Sequence, residues 1–129
     1  MERKKLFGET EVSRLCLGTW QFAKDSNQWK LLSEKEEDEL VKTSLELGVN
    51  FFDTAEGYGA GNSETSLGRA LRNSGARRSE YVVATKVSDS NLSYHKLKDA
   101  CNNSLSRLQL DYIDLYQVLT EKFFRFSEN

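Results

Sequence analysis

The sequence predicts an α/β fold built on a parallel sheet. Short apolar runs alternate along the chain with segments whose apolar residues repeat at helical spacing, in the order strand, helix, strand, helix, strand, helix, strand. Such alternation is typical of βαβ units, in which each helix returns the chain to a strand parallel to the last. The length of 129 residues and the 38% of hydrophobic residues are sufficient for one folded core.

The first predicted elements are a hairpin, a strand and a helix. Residues 5–18 alternate apolar and polar around a turn at residues 8–11, which predicts a short hairpin leading into a strand that ends at Gly18. A helix is predicted over 33–47, because Ser33 and Glu36 have the spacing of a capping box. Its apolar stripe is Leu40, Val41, Leu45 and Leu47, and its predicted stop is Gly48.

Three further strands and two helices complete the pattern. The strands are predicted over 49–52, 81–85 and 112–118 as short apolar runs. Asn62 or Ser63 is the predicted cap of the second helix, which ends before Gly75, and Ser93 is the predicted cap of the third. The predicted buried residues are Leu67, Ala70 and Leu71 in the second helix, and Leu97, Ala100, Cys101, Ser104, Leu105 and Leu108 in the third.

Two architectures fit this order, a doubly wound open sheet and part of a (β/α)8 barrel. The first strand-to-helix turn, residues 18–22, lacks the G-x-G-x-x-G pattern of dinucleotide-binding open sheets. Polar or titratable residues instead follow several strands, as they do in barrel active sites. They are Thr19, Asp53, Tyr58, Lys86 and Gln117. We therefore predict the N-terminal half of a (β/α)8 TIM barrel, with its first four βα units preceded by a short hairpin.

The composition disfavours several classes of partner and location. A net charge of −2 gives no reason to expect a nucleic acid or a membrane surface as partner, and no apolar run reaches the length of a membrane span. No apolar stretch follows the N-terminal charges, so we expect a cytoplasmic protein without a secretory signal. Cys16 and Cys101 lie in apolar segments and are predicted to be buried, reduced thiols. The sequence indicates no metal site.

Asp53, Tyr58 and Lys86 are the candidate catalytic residues. Each lies where a buried strand is predicted to run into a loop. A lysine ammonium stabilises a nearby phenolate, and an aspartate holds the ammonium in place, so the tyrosine can donate a proton to a carbonyl oxygen. A cofactor would have to supply the hydride. Taken singly, each residue is more readily explained as a loop cap, a surface aromatic or an exposed lysine. Taken together they favour the catalytic interpretation, because two apolar strands each end in a charged residue and unpaired burial of those charges would be costly.

Several motifs together resemble the aldo-keto reductase family over residues 4–118. They are Gly18-Thr19-Trp20, the run from Asn50 to Gly59 (NFFDTAEGYG), Asn62-Ser63-Glu64 followed by Leu67-Gly68-Arg69-Ala70-Leu71, Ala84-Thr85-Lys86, and the run from Leu108 to Gln117 (LQLDYIDLYQ). The motifs are highly specific in combination.

The resemblance implies an NADP(H)-dependent barrel that interconverts small-molecule carbonyls and alcohols. Tyr58 matches the catalytic acid, Lys86 its partner, and Asp53 the partner of the lysine. Gly18, Thr19 and Trp20, together with Asp53, match positions beside the nicotinamide end of NADP(H). Trp20 either lines the substrate pocket or packs the barrel mouth.

The chain departs from the family pattern at the fourth strand. The family continues Tyr-Gln-Val-His, and its histidine orients the substrate carbonyl, but Leu119 follows Val118 here. The only histidine, His95, is predicted to be an exposed residue in or before the third helix. We assign residues 1–118 to a partial reductase domain and 119–129 to a divergent tail, whose aromatic residues are Phe123, Phe124 and Phe126.

The length is the second departure. A full barrel needs about 250 residues, and the resemblance implies that loops after later strands hold the pyrophosphate and adenine. We therefore expect a truncated chain that is inactive alone and binds NADPH without saturation, and whose open barrel edges favour self-association. The alternative is a non-catalytic interaction protein, similar to the auxiliary subunits of potassium channels or acting as a truncated isoform that binds the full-length protein.

Overall fold

The computed structural model describes residues 1–24 and 30–120 and contains two sheets. An antiparallel hairpin is followed by a parallel sheet of four strands in sequence order, with helices between them. The strands are β1 Arg3–Phe7, β2 Thr10–Ser13, β3 Leu17–Gly18, β4 Phe51–Asp53, β5 Val82–Ser88 and β6 Leu115–Leu119, and the helices are α1 Glu34–Glu46, α2 Asn62–Asn73 and α3 Tyr94–Leu108. The order β3-β4-β5-β6 has no reversal, so it matches the predicted barrel and not the doubly wound alternative.

Helix α1 begins as its sequence predicts. The Ser33 hydroxyl accepts a hydrogen bond from the Glu36 N–H at 3.2 Å, and the Glu36 carboxylate accepts one from the Ser33 N–H at 2.8 Å, which confirms the capping box. Gly48, just past the end of the helix, has a φ of +89°, as expected of a stop that favours glycine.

The predicted apolar stripe of α1 is only partly correct. Val41 is fully buried, but Leu40 and Leu47 are 40% and 68% exposed. The buried face instead contains Glu37 and Val41, because the Glu37 carboxylate forms an ion pair with a helix α2 arginine, Arg69, at 2.5 Å. A charged side chain therefore shares the buried face with Val41, and Leu45 of the predicted stripe is partly buried against the core.

The predicted cap of α2 is wrong, and the predicted cap of α3 is correct in position but not in side-chain hydrogen bonding. Helix α2 starts after Gly61, and neither Asn62 nor Ser63 caps it. Ser93 occupies the N-cap position of α3, but its side chain makes no capping hydrogen bond. The predicted buried residues of α2, Leu67, Ala70 and Leu71, are all fully buried. In α3, Ala100, Ser104 and Leu108 are buried, and Leu97, Cys101 and Leu105 are partly buried.

The last two strands are displaced from their predicted bounds. Strand β5 continues to Ser88 because β6 pairs with it from Ala84 to Ser88. Strand β6 starts only at Leu115, since the Asp114 side chain accepts a hydrogen bond from the Val83 N–H at 2.8 Å before regular pairing begins. It also includes Leu119, the first residue of the predicted tail, whereas residues 121–129, including the three tail phenylalanines, lie outside the described residues.

The main core lies between the helices and one face of the parallel sheet. Its members are Phe22, Val41, Phe52, Leu67, Ala70, Leu71, Tyr81, Val83 and Leu108. Because side chains alternate across a strand, the neighbours of Phe52 and Val83 point to the opposite face, which would be the barrel interior. No helix within residues 1–24 and 30–120 is long and apolar enough to cross a membrane.

Both cysteines are free thiols, as predicted, but the prediction that both are buried is wrong. Cys101 is partly buried, whereas Cys16 is exposed. Leu17 packs against the core, so the preceding residue, Cys16, faces the interior side of the sheet, where the helices do not cover it.

Candidate active site

Asp53 and Lys86 meet on the interior face of the sheet. Asp53 ends β4 and pairs with Ala84, and Lys86 follows Ala84 by two residues in β5, so both side chains point to the same face. The Lys86 Nζ lies 2.5 Å from Asp53 Oδ2, and the two side chains are 14% and 27% exposed. The predicted pairing of the strand-end charges is therefore observed.

Tyr58 joins this pair from the loop that follows β4. Lys86 Nζ lies 3.4 Å from Tyr58 Oη and 2.9 Å from the Thr54 carbonyl oxygen. An ammonium group can only donate hydrogen bonds, and Asp53, Thr54 and Tyr58 accept one each from its three protons. Tyr58 Oη is thus an acceptor toward Lys86, which leaves the phenol proton to be donated in another direction.

Close packing sets the position of the Tyr58 loop. Gly59 has a φ of +61°, and a Cβ on it would overlap the Ala23 carbonyl group, so the loop packs directly on the short 3-10 helix Trp20–Ala23. The Trp20 and Tyr58 ring centroids lie 6.0 Å apart at an interplanar angle of 30°. The tyrosine therefore stands between a lysine ammonium and an aromatic ring that is half exposed.

The three predicted cofactor-loop residues differ in exposure. Gly18 pairs with Asp53 across β3 and β4, and Trp20 is 50% exposed beside Tyr58. Thr19 is fully buried, and its hydroxyl donates to the Asp53 carbonyl at 3.1 Å. Gly18 and Trp20 thus lie at the open surface of the site, whereas the side chain of Thr19 lies beneath it.

Gln117 is a further residue at this site. It pairs with Lys86 across β5 and β6, and its Nε2 lies 3.4 Å from Asp53 Oδ1. The sequence placed Gln117 among the polar residues that follow strands without giving it a role. The Asp53 carboxylate is therefore held on both oxygens, by Lys86 on one and by Gln117 on the other.

Cys16 was not predicted as a site residue, yet it lies near the two charges. Partial burial and the negative charge of Asp53 raise the pKa of its thiol to about 11, while the positive charge of Lys86 acts in the opposite direction. Its place next to Leu17 at the start of β3 is the signal that could have located it on the interior face.

Neither Leu119 nor His95 adds a polar group to the cluster of Asp53, Tyr58 and Lys86. Leu119 follows Gln117 by two residues in β6 and so shares its face of the sheet, as expected of a residue that stands where the family pattern has a histidine. His95 lies in the first turn of α3, exposed and with its ring against Tyr94, which confirms the prediction of an exposed helix residue.

Three comparisons with known proteins match this chain to the same family. The sequence model of the Aldo/keto reductase family matches residues 14–119. The chain is 39% identical over 116 residues to the aldo-keto reductase YhdN of Bacillus subtilis, an alignment covering 84% of this chain and 34% of that protein. It is 41% identical over 87 residues to an aldo-keto reductase of Mycobacterium avium, covering 67% of this chain and 29% of that one.

Solved structures give the same result. The thermostable aldo-keto reductase Tm1743, in complex with the inhibitor epalrestat, matches with a TM-score of 0.80 and 34% identity, over 92% of this chain and 42% of that one. An aldo-keto reductase from Klebsiella pneumoniae in complex with NADPH matches with a TM-score of 0.73 and 33% identity, over 90% and 39%. The chain thus spans about a third of the length of the curated relatives it matches.

Proposed function

This chain belongs to the aldo/keto reductase family, and from that premise we propose that it carries the proton-transfer residues of an NADP(H)-dependent oxidoreductase that reduces aldehydes or ketones to alcohols. The observation that supports the proposal most directly is the hydrogen bonding of Lys86, whose ammonium lies 2.5 Å from Asp53 and 3.4 Å from the Tyr58 hydroxyl. The arrangement suits a tyrosine acting as general acid.

Proton transfer in this proposal follows from the direction of the hydrogen bonds. Tyr58 donates its proton to the substrate oxygen, and the phenolate that remains accepts a hydrogen bond from the Lys86 ammonium. Asp53 keeps that ammonium in place, since its carboxylate is itself held by Gln117 at 3.4 Å. In the reverse direction the phenolate removes the proton from an alcohol.

The proposed cofactor is NADP(H). When bound, NADPH supplies the hydride that the carbonyl carbon receives. Gly18 and the half-exposed Trp20 ring form an open, uncharged surface beside Tyr58, which suits a flat ring such as nicotinamide. The crystallisation of a Klebsiella pneumoniae relative with NADPH supports the same cofactor. We propose that this surface binds only the nicotinamide end, so that binding by the isolated chain is weak.

The test is reduction of 4-nitrobenzaldehyde by the chain, followed as NADPH oxidation at high protein concentration. The sequence predicts a chain that is inactive alone, but because the contacts of Lys86 with Asp53 and Tyr58 are formed within this chain, we expect instead a slow rate that rises in proportion to NADPH without saturating. Tyr58→Phe should abolish that rate completely. The matched control is Tyr94→Phe, which alters a tyrosine that is 71% exposed on α3. Tyr58→Phe with undiminished turnover would overturn the role of Tyr58, and no turnover by the unsubstituted chain would refute catalysis by it.

Cofactor binding is measured separately by quenching of tryptophan fluorescence during an NADPH titration. The expected signal is weak and does not saturate at micromolar NADPH. A clear saturation curve that disappears in Trp20→Phe would contradict the expectation of weak binding and would locate the nucleotide beside Trp20.

A further inference from the structure

We propose that Ser63 and Glu64, adjacent residues in the first turn of α2, are positioning residues that hold the strand ends carrying Asp53 and Lys86. The proposal rests on the proposed function, because it concerns the same catalytic residues. Both side chains are fully buried on the opposite side of the sheet from the reacting groups, so neither can touch a substrate.

The Ser63 hydroxyl joins the ends of β3 and β4. Ser63 Oγ lies 2.6 Å from the Thr19 carbonyl oxygen and 2.9 Å from Thr54 Oγ1. Since a carbonyl oxygen only accepts, Ser63 donates to Thr19, and Thr54 donates to Ser63. Thr19 in turn donates to the Asp53 carbonyl at 3.1 Å. All three hydroxyl protons are thus used inside one buried network that binds the carbonyl of Asp53 and the side chain of the next residue, Thr54.

The Glu64 carboxylate holds β5 at the residue before Lys86. Thr85 Oγ1 donates to Glu64 Oε1 at 2.6 Å, and both side chains are fully buried. Side chains alternate along a strand, so fixing Thr85 toward the helices fixes Lys86 toward the interior face. The threonines at positions 54 and 85 each adjoin one member of the charged pair, and each is bound by one of two neighbouring residues of α2.

Arg107 of α3 neutralises the buried Glu64 carboxylate. Its Nε lies 2.5 Å from Glu64 Oε2. The arginine passes across Gly61, where a Cβ would fall 2.5 Å from Arg107 Cδ. A buried carboxylate with both oxygens hydrogen-bonded is a rigid anchor, because any rotation would leave a charge unpaired.

The network acts on catalysis through the position of the Lys86 ammonium. The Thr54 carbonyl oxygen accepts a hydrogen bond from Lys86 Nζ at 2.9 Å, and the Thr54 N–H donates one to the Ala84 carbonyl at 2.9 Å. A shift of either threonine therefore moves Nζ relative to Tyr58 Oη, the longest of its three hydrogen bonds at 3.4 Å. Misplacement of a reacting group by about 1 Å can lower a rate by ~10²-fold.

The first test reads the position of Lys86 without any turnover. In a chain labelled with 13C-lysine, the Lys86 ε-methylene resonance is identified by its loss in Lys86→Arg. The Tyr58 ring, whose centroid lies 5.0 Å from Nζ, moves the chemical shift of this resonance away from the position that exposed lysines have. We expect Thr85→Val and Ser63→Ala to move this resonance toward that position. Thr85→Ser, which keeps the hydroxyl, should restore it, and Thr65→Val, at an exposed position in α2, should leave it unchanged.

The second test separates this proposal from the proposed function. In the 4-nitrobenzaldehyde assay at a fixed NADPH concentration, Thr85→Val should lower the maximal rate about tenfold with the KM for the aldehyde unchanged, and Thr85→Ser should recover the rate. If Thr85→Val folds and its Lys86 resonance keeps the position found in the unsubstituted chain, the positioning role is overturned, even if Tyr58→Phe abolishes turnover. A shifted resonance in a chain without turnover would support positioning while refuting catalysis. Should Thr85→Val fail to fold, the resonance in Ser63→Ala decides.

Discussion

Asp53 and Lys86 are joined by a 2.5 Å ion pair across neighbouring parallel strands, although they lie 33 residues apart in the chain. The pair links the end of β4 to the middle of β5, and the third strand, β6, contributes Gln117 to the same carboxylate. An ion pair that is mostly removed from solvent is costly to break on one side only, because the remaining charge is left without its partner. The pair therefore contributes to stability as well as to the proposed chemistry.

Removing the lysine should destabilise the fold. We expect Lys86→Met to lower the free energy of unfolding by about 1–3 kcal/mol, since it leaves the partly buried Asp53 carboxylate without its charged partner. In the double variant Asp53→Asn/Lys86→Met the loss should be smaller than the sum of the single losses. Urea denaturation followed by circular dichroism measures all three, with Lys98→Met on the exposed face of α3 as control. Additive losses would show that the pair is not coupled.

The Cys16 thiol should report on the same two charges. With Cys101→Ser as background, alkylation of Cys16 by iodoacetamide near pH 8 should be slow although the residue is exposed, because partial desolvation of the thiol and the Asp53 carboxylate raise its pKa to about 11. Asp53→Asn removes the negative charge, so it should lower that pKa and speed alkylation. Lys86→Met should do the reverse. Equal rates in all three chains would place the thiol away from the ion pair.

The capping box of α1 should make stability depend on pH. The Ser33 backbone N–H, with a further hydrogen bond from Lys30, lowers the pKa of Glu36 below its usual 4.5. A carboxyl group with a lower pKa in the folded state stabilises the fold above its unfolded-state pKa, and this contribution is lost as the pH falls through the folded-state value. The loss should therefore occur below about pH 4.5.

The measurement is the urea midpoint of the unsubstituted chain minus that of Glu36→Gln. We expect this difference to be positive at neutral pH and to shrink below about pH 4.5, because glutamine keeps the cap but cannot ionise. Glu39→Gln, exposed on the same helix, is the matched control. A difference that is constant with pH would contradict the role of the Glu36 charge.

Local features of the sequence predicted the structure well where the partners are close in the chain. The Ser33–Glu36 box needs only residues three apart, and it forms as predicted. Ser63 looks like a similar cap, but its hydroxyl donates to the carbonyl of Thr19, 44 residues earlier, and tertiary contact overrides the local preference. Leu40 likewise satisfies helical spacing, yet it is exposed, and periodicity alone does not show that Arg69 of α2 pairs with a buried Glu37.

In the candidate site, too, some contacts could be predicted from the sequence and others could not. Asp53 and Lys86 could be paired from sequence because both follow apolar runs at strand ends, and parallel strands bring those ends together. The contact of Gln117 with Asp53 depends on the register of β6, which starts three residues later than its apolar run predicts. Cys16 was misplaced because an apolar neighbourhood does not show which face of a two-residue strand is covered by helices.

Gly68 lies in close contact with the end of α3, and it offers a test of how α2 and α3 are placed. A Cβ on Gly68 would overlap the backbone carbonyl of Leu108, the last residue of α3. Gly68→Ala must therefore separate the helices, and with them Arg107 from Glu64. We expect a loss of about 1–3 kcal/mol in the free energy of unfolding, despite the better helix propensity of alanine. Gly18→Ala is the matched control, since a Cβ there meets nothing within 4 Å. Chemical denaturation of both variants measures the difference, and a Gly68→Ala chain as stable as the unsubstituted one would show that the two helices are not in contact at this position.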